Sequence, residues 1–197
     1  MKTVNLVASL PYNDQYCVGD FIGVDKGAKY LLDNEIAMVA VVGDFDSLDS
    51  KSQTILKTMN LEIVKLDPIK DNTDLDVAIN YAKKLGYNKI NIYGAIGQRL
   101  DHTLLNLNLL KKNRNLVFYD DYSKIMILKK GYHKIVSSEY QYYSFFALKE
   151  CLIDLTNFKY PLTKYVLKLD DTLCVSNELK ENASLNTSED IIVVMSK

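Results

Sequence analysis

Met38-Val39-Ala40-Val41-Val42-Gly43-Asp44-Phe45-Asp46-Ser47-Leu48 joins a short apolar run to a glycine and two alternating carboxylates. The apolar run predicts a buried strand that ends at a turn. Asp44 and Asp46 then follow the strand, and ligands of open α/β sheets bind beyond the carboxyl ends of the strands. Carboxylate oxygens suit Mg²⁺, but Asp and Ser also form ordinary turns. This motif alone leaves a metal site and a solvated turn equally open.

Length and composition indicate a globular protein without a nucleic-acid partner. The 197 residues can form one large domain or two small ones, and the net charge of −1 gives no support to a nucleic-acid-binding surface. Cys17, Cys151 and Cys174 show neither metal-finger nor paired spacing, which favours a reduced, cytoplasmic location. Residues 1–8 fit a first strand better than a signal peptide. No stretch is long and apolar enough to cross a membrane, so we expect no membrane partner.

Strand and helix patterns alternate along the first part of the chain. Strands are predicted at 4–10, 36–42, 61–66, 89–93 and 116–119, and helices at 27–34, 50–60, 73–85 and 102–113. The clearest helix is 73–85, in which Leu75, Ala78 and Ile79 share one face and Thr73 is placed to cap the start. This alternation predicts an α/β fold, Rossmann-like, with a mainly parallel sheet and helices on both of its faces.

After residue 120 the helical periodicity gives way to short β-rich segments. We predict strands at 125–128, 140–148, 151–155, 165–169, 172–175 and 191–195, separated by turn residues. Such a pattern is typical of an all-β sandwich or barrel. The predicted domains are therefore 1–122, an α/β domain, and 123–197, a β-rich domain.

A second acidic motif, Lys70-Asp71-Asn72-Thr73-Asp74-Leu75-Asp76, lies between a predicted strand and the helix 73–85. Acidic residues at a helix start also stabilise the helix dipole, and we assign Asp76 to that role. The motif contains more capping-type residues than one helix start requires. Asp71 and Asp74 are therefore candidates for a metal or phosphate site.

A third motif, Gly94-Ala95-Ile96-Gly97-Gln98-Arg99-Leu100-Asp101-His102, also joins a strand to a helix. Glycines let the backbone approach a phosphate chain closely, and a helix N-terminus attracts anions. Arg99 can make two-point contacts to phosphate oxygens. For His102 a catalytic role and a purely structural one both remain open. The leucines that follow are predicted to lie in the core: 104, 105, 107, 109 and 110.

A fourth polar motif, Val24-Asp25-Lys26-Gly27-Ala28, follows the apolar stretch 21–24. Four such motifs at strand ends predict a crevice with carboxylates, an arginine and glycine-rich phosphate contacts. Such a crevice suits Mg²⁺-assisted phosphoryl-type transfer, in which positioning and charge neutralisation supply most of the catalysis. The chain has neither a Walker A sequence nor a kinase-type GxGxxG, so these common nucleotide-binding motifs are excluded.

These motifs resemble, in the same order, the signature motifs of the thiamine pyrophosphokinase family: 43–48, 70–74 and 94–102. Val24-Asp25-Lys26-Gly27-Ala28 is similar to the first loop of that family. In the β-rich half, 158–162 and 172–178 resemble its thiamine-binding domain, so the resemblance covers nearly the whole chain. Gln98 departs from the pattern, because the family usually has a further glycine before the arginine.

The resemblance implies a transferase that moves the pyrophosphoryl group of ATP onto the primary alcohol of thiamine, giving thiamine diphosphate and AMP. It implies Mg²⁺ ligands at Asp44, Asp46 and Asp74. It implies catalytic roles for Asp46, Asp71 and Arg99, with Asp71 as the candidate acceptor of the alcohol proton. It implies thiamine contacts at Ser176 and Asn177. The implied ATP-binding residues are Asp25, Lys70, Gly94, Gly97, Gln98, Arg99, Asp101 and His102.

The resemblance also implies a homodimer whose active site forms where the catalytic domain of one subunit meets the β-domain of the other. Two alternative functions remain open: a Mg²⁺-dependent phosphohydrolase, and a non-catalytic nucleotide or thiamine sensor on the same scaffold. A phosphohydrolase needs no second substrate domain, so the matching β-rich half argues against it. The intact acidic and arginine positions argue against a sensor.

Overall fold

The computed structural model describes residues 1–8, 16–45, 48–59, 61–67, 72–97 and 99–197, apart from the side chain of residue 57. Asp46, Lys70, Asp71 and Gln98 lie outside the described residues. The internal contacts divide the chain into two units. Met1–Leu109 and Asn115–Asp121 form an α/β unit, and Leu110–Arg114 and Tyr122–Lys197 form a β unit.

The α/β unit contains a parallel sheet, as the alternating pattern predicts. Its strand order is β6-β5-β1-β2-β3-β4. The strands are β1 (Thr3–Val7), β2 (Asp20–Val24), β3 (Ala40–Gly43), β4 (Glu62–Lys65), β5 (Lys89–Tyr93) and β6 (Leu116–Tyr119). The helices are α1 (Lys26–Asp33), α2 (Ser50–Thr58), α3 (Asp74–Lys84) and α4 (Leu100–Lys112), of which the last turn groups with the β unit.

The strand order reverses direction beside β1. From β1 the chain moves outward through β2, β3 and β4, and then returns to place β5 on the other side of β1. Ligands of doubly wound sheets bind at such a reversal, outside the carboxyl ends of the strands. The topology therefore predicts a ligand site beyond the ends of β1 and β5, where Val7 pairs with Tyr93.

Helix α3 confirms the helix predicted over 73–85, with its capping threonine and its apolar face. The Thr73 side chain accepts a hydrogen bond from the Asp76 N–H at 3.3 Å, which satisfies one of the free donors of the first turn. Leu75, Ala78 and Ile79 are buried on one face, as their spacing predicts.

Two predictions in the α/β unit are wrong. The strand predicted over 36–42 begins only at Ala40, because Glu35 has a left-handed φ of 56° and the chain is still leaving α1 there. Leu104 and Leu105 are 57% and 39% exposed, whereas Leu109 and Leu110 are buried. A leucine-rich helix has leucine on more faces than the core can cover.

The β unit consists of antiparallel strands, as the turn-punctuated pattern predicts. Neighbouring strands follow the order β11-β10-β12-β9-β13-β7, and β8 pairs with β12. The strands are β7 (Ser123–Leu128), β8 (Gly131–Lys134), β9 (Tyr142–Ala147), β10 (Cys151–Phe158), β11 (Leu162–Leu167), β12 (Asn177–Thr187) and β13 (Ile191–Ser196).

Strand β12 links the two layers of this β sandwich. Its first residues pair with β9, and its later residues pair with β10 and β8. Asn182, between these segments, has a φ of 57°, which marks the change of direction. The layers enclose a core that includes Phe145, Phe158 and Leu185.

The sequence pattern missed β8 and β12, and the strand predicted over 172–175 is wrong. The carboxylate of Asp171 instead accepts hydrogen bonds from the Leu173 N–H and the Tyr165 hydroxyl, which holds a turn. Among the described residues, no helix combines the length and the apolar character that crossing a membrane requires.

Candidate active site

A cavity of about 490 Å³ opens at the carboxyl edge of the α/β sheet. Ala8 and Gly94 border it from the ends of β1 and β5, on the two sides of the reversal in strand order. The described residues that line the cavity belong to the α/β unit. The position is therefore the one that the rule for doubly wound sheets selects.

Asp25 and Lys26 form the cavity wall at the corner between β2 and α1. The Asp25 N–H donates to the Val42 carbonyl at 3.0 Å, and its own carbonyl accepts from the Ala28 N–H at 3.0 Å. The Asp25 carboxylate packs so closely on Gly43 that any Cβ at position 43 would collide with it. A Cβ at position 43 would therefore force the Asp25 carboxylate to move, although backbone hydrogen bonds hold the Asp25 main chain on both sides.

Two residues at this edge adopt left-handed backbone conformations that are unfavourable for their side chains. Asp25 has a φ of 50°, and the buried Phe45 has a φ of 61°. Such conformations cost about 1–3 kcal/mol each and concentrate at functional sites. Both lie where the chain turns away from a strand end beside the cavity, so this strain is located at the candidate site.

Two of the three predicted Mg²⁺ ligands, Asp44 and Asp74, border the same cavity, and both are half-buried. Asp44 follows β3, and Asp74 is the first residue of α3. Asp46 is outside the described residues, and the described residues contain no group of three metal-ligating side chains. Mg²⁺ usually takes one or two carboxylates and completes its coordination with water and phosphate oxygens, so this oxygen-donor set fits it.

The glycine loop, residues 94–97, forms the wall between β5 and α4. Gly94 has a φ of 69° and Gly97 has a φ of 127°, which are conformations that glycine adopts without a Cβ clash. The loop therefore brings backbone, and not bulky side chains, to the cavity at both glycines. This is the geometry that a phosphate-binding loop requires.

Arg99 and Asp101, both predicted to contact ATP, form an ion pair with each other. The guanidinium Nε and a terminal nitrogen lie 3.2 and 2.6 Å from the two carboxylate oxygens. This hydrogen bonding lowers the pKa of the Asp101 carboxyl to about 2, so the pair stays charged at neutral pH. Both side chains are about two-thirds exposed, and Arg99 and the exposed His102 border the cavity.

We predict that Arg99→Lys lowers kcat/KM by about 10-fold or more, although the charge is retained, because lysine lacks the planar two-point geometry. Steady-state kinetics with varied ATP would measure this effect. Arg114→Lys is the matched control, since Arg114 pairs with Asp190 in the β unit. Parental kinetics in Arg99→Lys would assign Arg99 a structural role.

The two predicted thiamine contacts belong to the β unit and differ in accessibility. Ser176 is exposed, and its N–H donates to the Ser144 hydroxyl at 3.0 Å. Asn177 is 4% exposed, and its side-chain amide donates to the Tyr160 carbonyl and accepts from the Tyr160 N–H. The Asn177 side chain therefore holds the backbone at Tyr160.

Sequence reasoning did not assign site roles to Lys26, Thr73, Thr103 and Asn106, which also border the cavity. Lys26 adds a positive charge to the cavity that Asp44 and Asp74 also border. Its position inside the fourth polar motif could have identified it as a site residue. Thr103 and Asn106 lie in a helix among leucines. Nothing in that local pattern distinguishes them from ordinary polar residues.

A parallel sheet with a carboxylate- and glycine-lined cavity at its point of reversal is typical of enzymes that act on phosphorylated ligands. Comparisons with known proteins agree. The family model "Thiamin pyrophosphokinase, catalytic domain" matches residues 16–119, and "Thiamin pyrophosphokinase, vitamin B1 binding domain" matches residues 132–192.

Individual relatives are similar to this chain over most or all of its length. Thiamine pyrophosphokinase of Bacillus subtilis is 36% identical over 195 residues, which cover 91% of this chain and 90% of that protein. The crystal structure of a Bacillus subtilis thiamine pyrophosphokinase covers 100% of this chain and 99% of its own, with a TM-score of 0.87 and 33% identity. A thiamin pyrophosphokinase family protein from Enterococcus faecalis has the same coverage, a TM-score of 0.87 and 26% identity. The chain belongs to the thiamine pyrophosphokinase family.

Proposed function

We propose that this protein transfers the pyrophosphoryl group of ATP to the hydroxyl of thiamine, giving thiamine diphosphate and AMP. The observation that carries the proposal is the shared cavity of Asp44, Asp74 and the glycine loop, at the reversal of a parallel sheet. Carboxylates and a phosphate-binding loop are both needed in one place for this chemistry. The match to a catalytic and a vitamin-B1-binding family model supports the same reaction.

In the proposed reaction the hydroxyl oxygen of thiamine attacks the β-phosphorus of ATP. The bond from that phosphorus to the α,β-bridging oxygen breaks, and AMP leaves with the bonding electrons. The hydroxyl proton passes to a carboxylate, for which we propose Asp71. Most of the catalysis then comes from positioning and from neutralising the charge on the phosphates.

We propose Asp44, Asp46 and Asp74 as the holders of Mg²⁺, which would neutralise charge on the phosphate oxygens when bound. The carboxylates alone would repel the anionic nucleotide, and a bound cation would offset that repulsion. Arg99 supplies a further positive charge at the same cavity. The other proposed nucleotide contacts are Asp25, Lys70, Gly94, Gly97, Gln98, Asp101 and His102.

For thiamine we propose contacts in the β unit, at Ser176 and around Asn177. Ser176 is exposed, and it has a left-handed φ of 53° in the turn directly before β12. Since the Asn177 side chain is occupied by the backbone of Tyr160, we propose that Asn177 shapes this surface and that its neighbours touch the vitamin.

We propose a homodimer in which each active site combines the α/β unit of one subunit with the β unit of the other. The proposed nucleotide residues all precede residue 103, whereas Ser176 and Asn177 belong to a separate unit, so the site needs both units. A two-fold interface would form two such composite sites.

This arrangement predicts complementation between two inactive variants. Asp44→Asn and a bulky substitution at Ser176 would damage opposite halves of the site. After subunit exchange about half of the dimers are mixed, and one of their two sites is intact, so recovery reaches about a quarter of parental activity. Absence of recovery, with exchange verified by differently tagged subunits, would place both halves of the site in one chain.

We also propose a cytoplasmic location, where reduced cysteines are the rule. Cys17, Cys151 and Cys174 are free thiols in the structure, and two of them are buried in the β unit. Burial raises the pKa of the Cys174 thiol to about 11, which keeps it protonated and unreactive.

The test of the proposed function is product analysis after incubation with ATP, MgCl₂ and thiamine. We expect thiamine diphosphate and AMP in equal amounts, with no nucleotide consumed when thiamine is omitted. Release of inorganic phosphate without thiamine would indicate a phosphohydrolase. Binding of ATP or thiamine without turnover would indicate a sensor. The comparisons support neither alternative.

A further inference from the structure

Two side chains of α4 hold the glycine loop from the side of the helix. Thr103 and Asn106 both border the cavity and both hydrogen-bond to the loop backbone. We propose that Thr103 and Asn106 are positioning residues, which fix the loop in the conformation that receives the phosphates of the nucleotide. The inference rests on the ATP-binding role proposed above for this cavity.

Asn106 holds the middle of the loop. The residue is 5% exposed, and its Nδ2 donates to the Ala95 carbonyl at 2.5 Å. The carbonyl of one residue and the N–H of the next point in opposite directions across a trans peptide bond. The contact therefore also fixes the direction of the Ile96 N–H, for which no backbone acceptor is found among the described residues.

The direction of this peptide group matters for an anionic ligand. A carbonyl oxygen turned towards phosphate would repel it, whereas an N–H group would attract it. By binding the Ala95 carbonyl, Asn106 removes one oxygen from the surface that a phosphate would meet. The same hydrogen bond satisfies the buried amide of Asn106, which would otherwise be costly to bury.

Thr103 holds the end of the loop. Its Oγ1 accepts from the Gly97 N–H at 3.1 Å and donates to the Arg99 carbonyl at 3.1 Å. The Thr103 backbone N–H also donates to the Arg99 carbonyl, at 3.0 Å. One side chain thus ties both Gly97 and the arginine proposed to bind phosphate to the first turn of α4.

The glycines make such anchoring necessary. Glycine loses more conformational freedom on ordering than any other residue, so a loop with Gly94 and Gly97 has many competing conformations. If the protein did not order the loop in advance, ordering would oppose nucleotide binding. Hydrogen bonds from a rigid helix remove that cost before the ligand arrives.

The first test compares Thr103→Val with Thr103→Ser, because valine keeps the shape without the hydroxyl and serine keeps the hydroxyl. Hydrogen exchange of residues 94–99 is measured in the absence of nucleotide. Calorimetry gives the Kd of ATP, and steady-state kinetics give the KM values for ATP and thiamine. For Thr103→Val we expect faster exchange, ATP binding weakened by about 10-fold, and an unchanged KM for thiamine. Thr103→Ser should resemble the parent in all three.

The second test compares Asn106→Leu with Asn108→Leu. Both variants place leucine in the same helix, but Asn108 is exposed and does not border the cavity. We expect faster loop exchange and weaker ATP binding only in Asn106→Leu. The thermal midpoint of each variant separates these local effects from a general loss of stability.

The two tests distinguish a failure of the positioning role of Thr103 and Asn106 from a failure of the proposed function. Parental ATP affinity in both Thr103→Val and Asn106→Leu would overturn the inference, whether or not exchange in the loop is faster. Equal damage in Thr103→Ser and Thr103→Val would also overturn it, because the hydroxyl would then not be responsible. A parent that binds no ATP would overturn the proposed function and the inference with it.

Discussion

Replacing Asp44 with asparagine is expected to lower kcat/KM by a factor on the order of 10²–10³ while leaving the fold intact. Asp44 is half-buried at the end of β3 and borders the cavity, where a carboxylate serves a ligand and not the apolar core. Asparagine has nearly the same shape but lacks the charge that would hold Mg²⁺. Kinetics with saturating thiamine, together with a thermal midpoint, would measure both parts of the prediction.

Helix α3 offers a matched pair of controls for this prediction. Asp74 borders the cavity, whereas Asp76, two residues later, accepts a hydrogen bond from Asn80 on the same helix at 3.4 Å. We expect Asp74→Asn to show a loss similar to that of Asp44→Asn, and Asp76→Asn to keep nearly parental turnover. Near-normal turnover in Asp44→Asn and Asp74→Asn would remove both residues from the proposed Mg²⁺ site.

Replacing Gly27 with alanine is expected to lower the free energy of unfolding by about 3 kcal/mol. A Cβ at position 27 would overlap the carbonyl oxygens of Val7 and Ala8, which are backbone atoms at the end of β1 and cannot rotate away. The substitution would push α1 from the sheet and displace Asp25 and Lys26 at the cavity wall. Urea denaturation would give the change in stability, and ATP titration would give the change at the site.

Gly86→Ala is the control for Gly27→Ala. Gly86 has a φ of 82°, but among the described residues no atom beyond its chain neighbours lies within 4 Å of the Cβ position. The loss of unfolding free energy expected for Gly86→Ala therefore comes from the left-handed backbone conformation and is about 1 kcal/mol. Equal stability of the two alanine variants would contradict the claim that α1 packs closely against the end of β1 at Gly27.

Much of the α/β unit was predictable because its signals are local. The apolar runs that form β5 and β6 have the predicted bounds, and α3 combines a capping threonine with a periodic apolar face. The carboxyl ends of parallel strands share one edge, so polar residues after several strands could be predicted to meet. Asp25, Asp44 and Asp74 do border one cavity.

The remaining features depend on distant contacts that a local pattern does not contain. Strand β12 is rich in polar residues and bends at Asn182, so its alternation is weak, although its partners complete the sandwich. Thr103 and Asn106 acquire their importance only when α4 meets the glycine loop. Asn177 was predicted to be a thiamine contact, but its burial against Tyr160 is visible only in the fold.

The most direct test of the central claim is to identify which phosphate bond of ATP breaks. The protein is incubated with Mg²⁺, thiamine and one of two ATP analogues, which carry a methylene group in place of either the α,β- or the β,γ-bridging oxygen. Transfer of the pyrophosphoryl group predicts that the β,γ-methylene analogue yields AMP and a thiamine derivative, whereas the α,β-methylene analogue is inert. Formation of ADP from ATP, with turnover blocked by the β,γ-methylene group, would contradict the account.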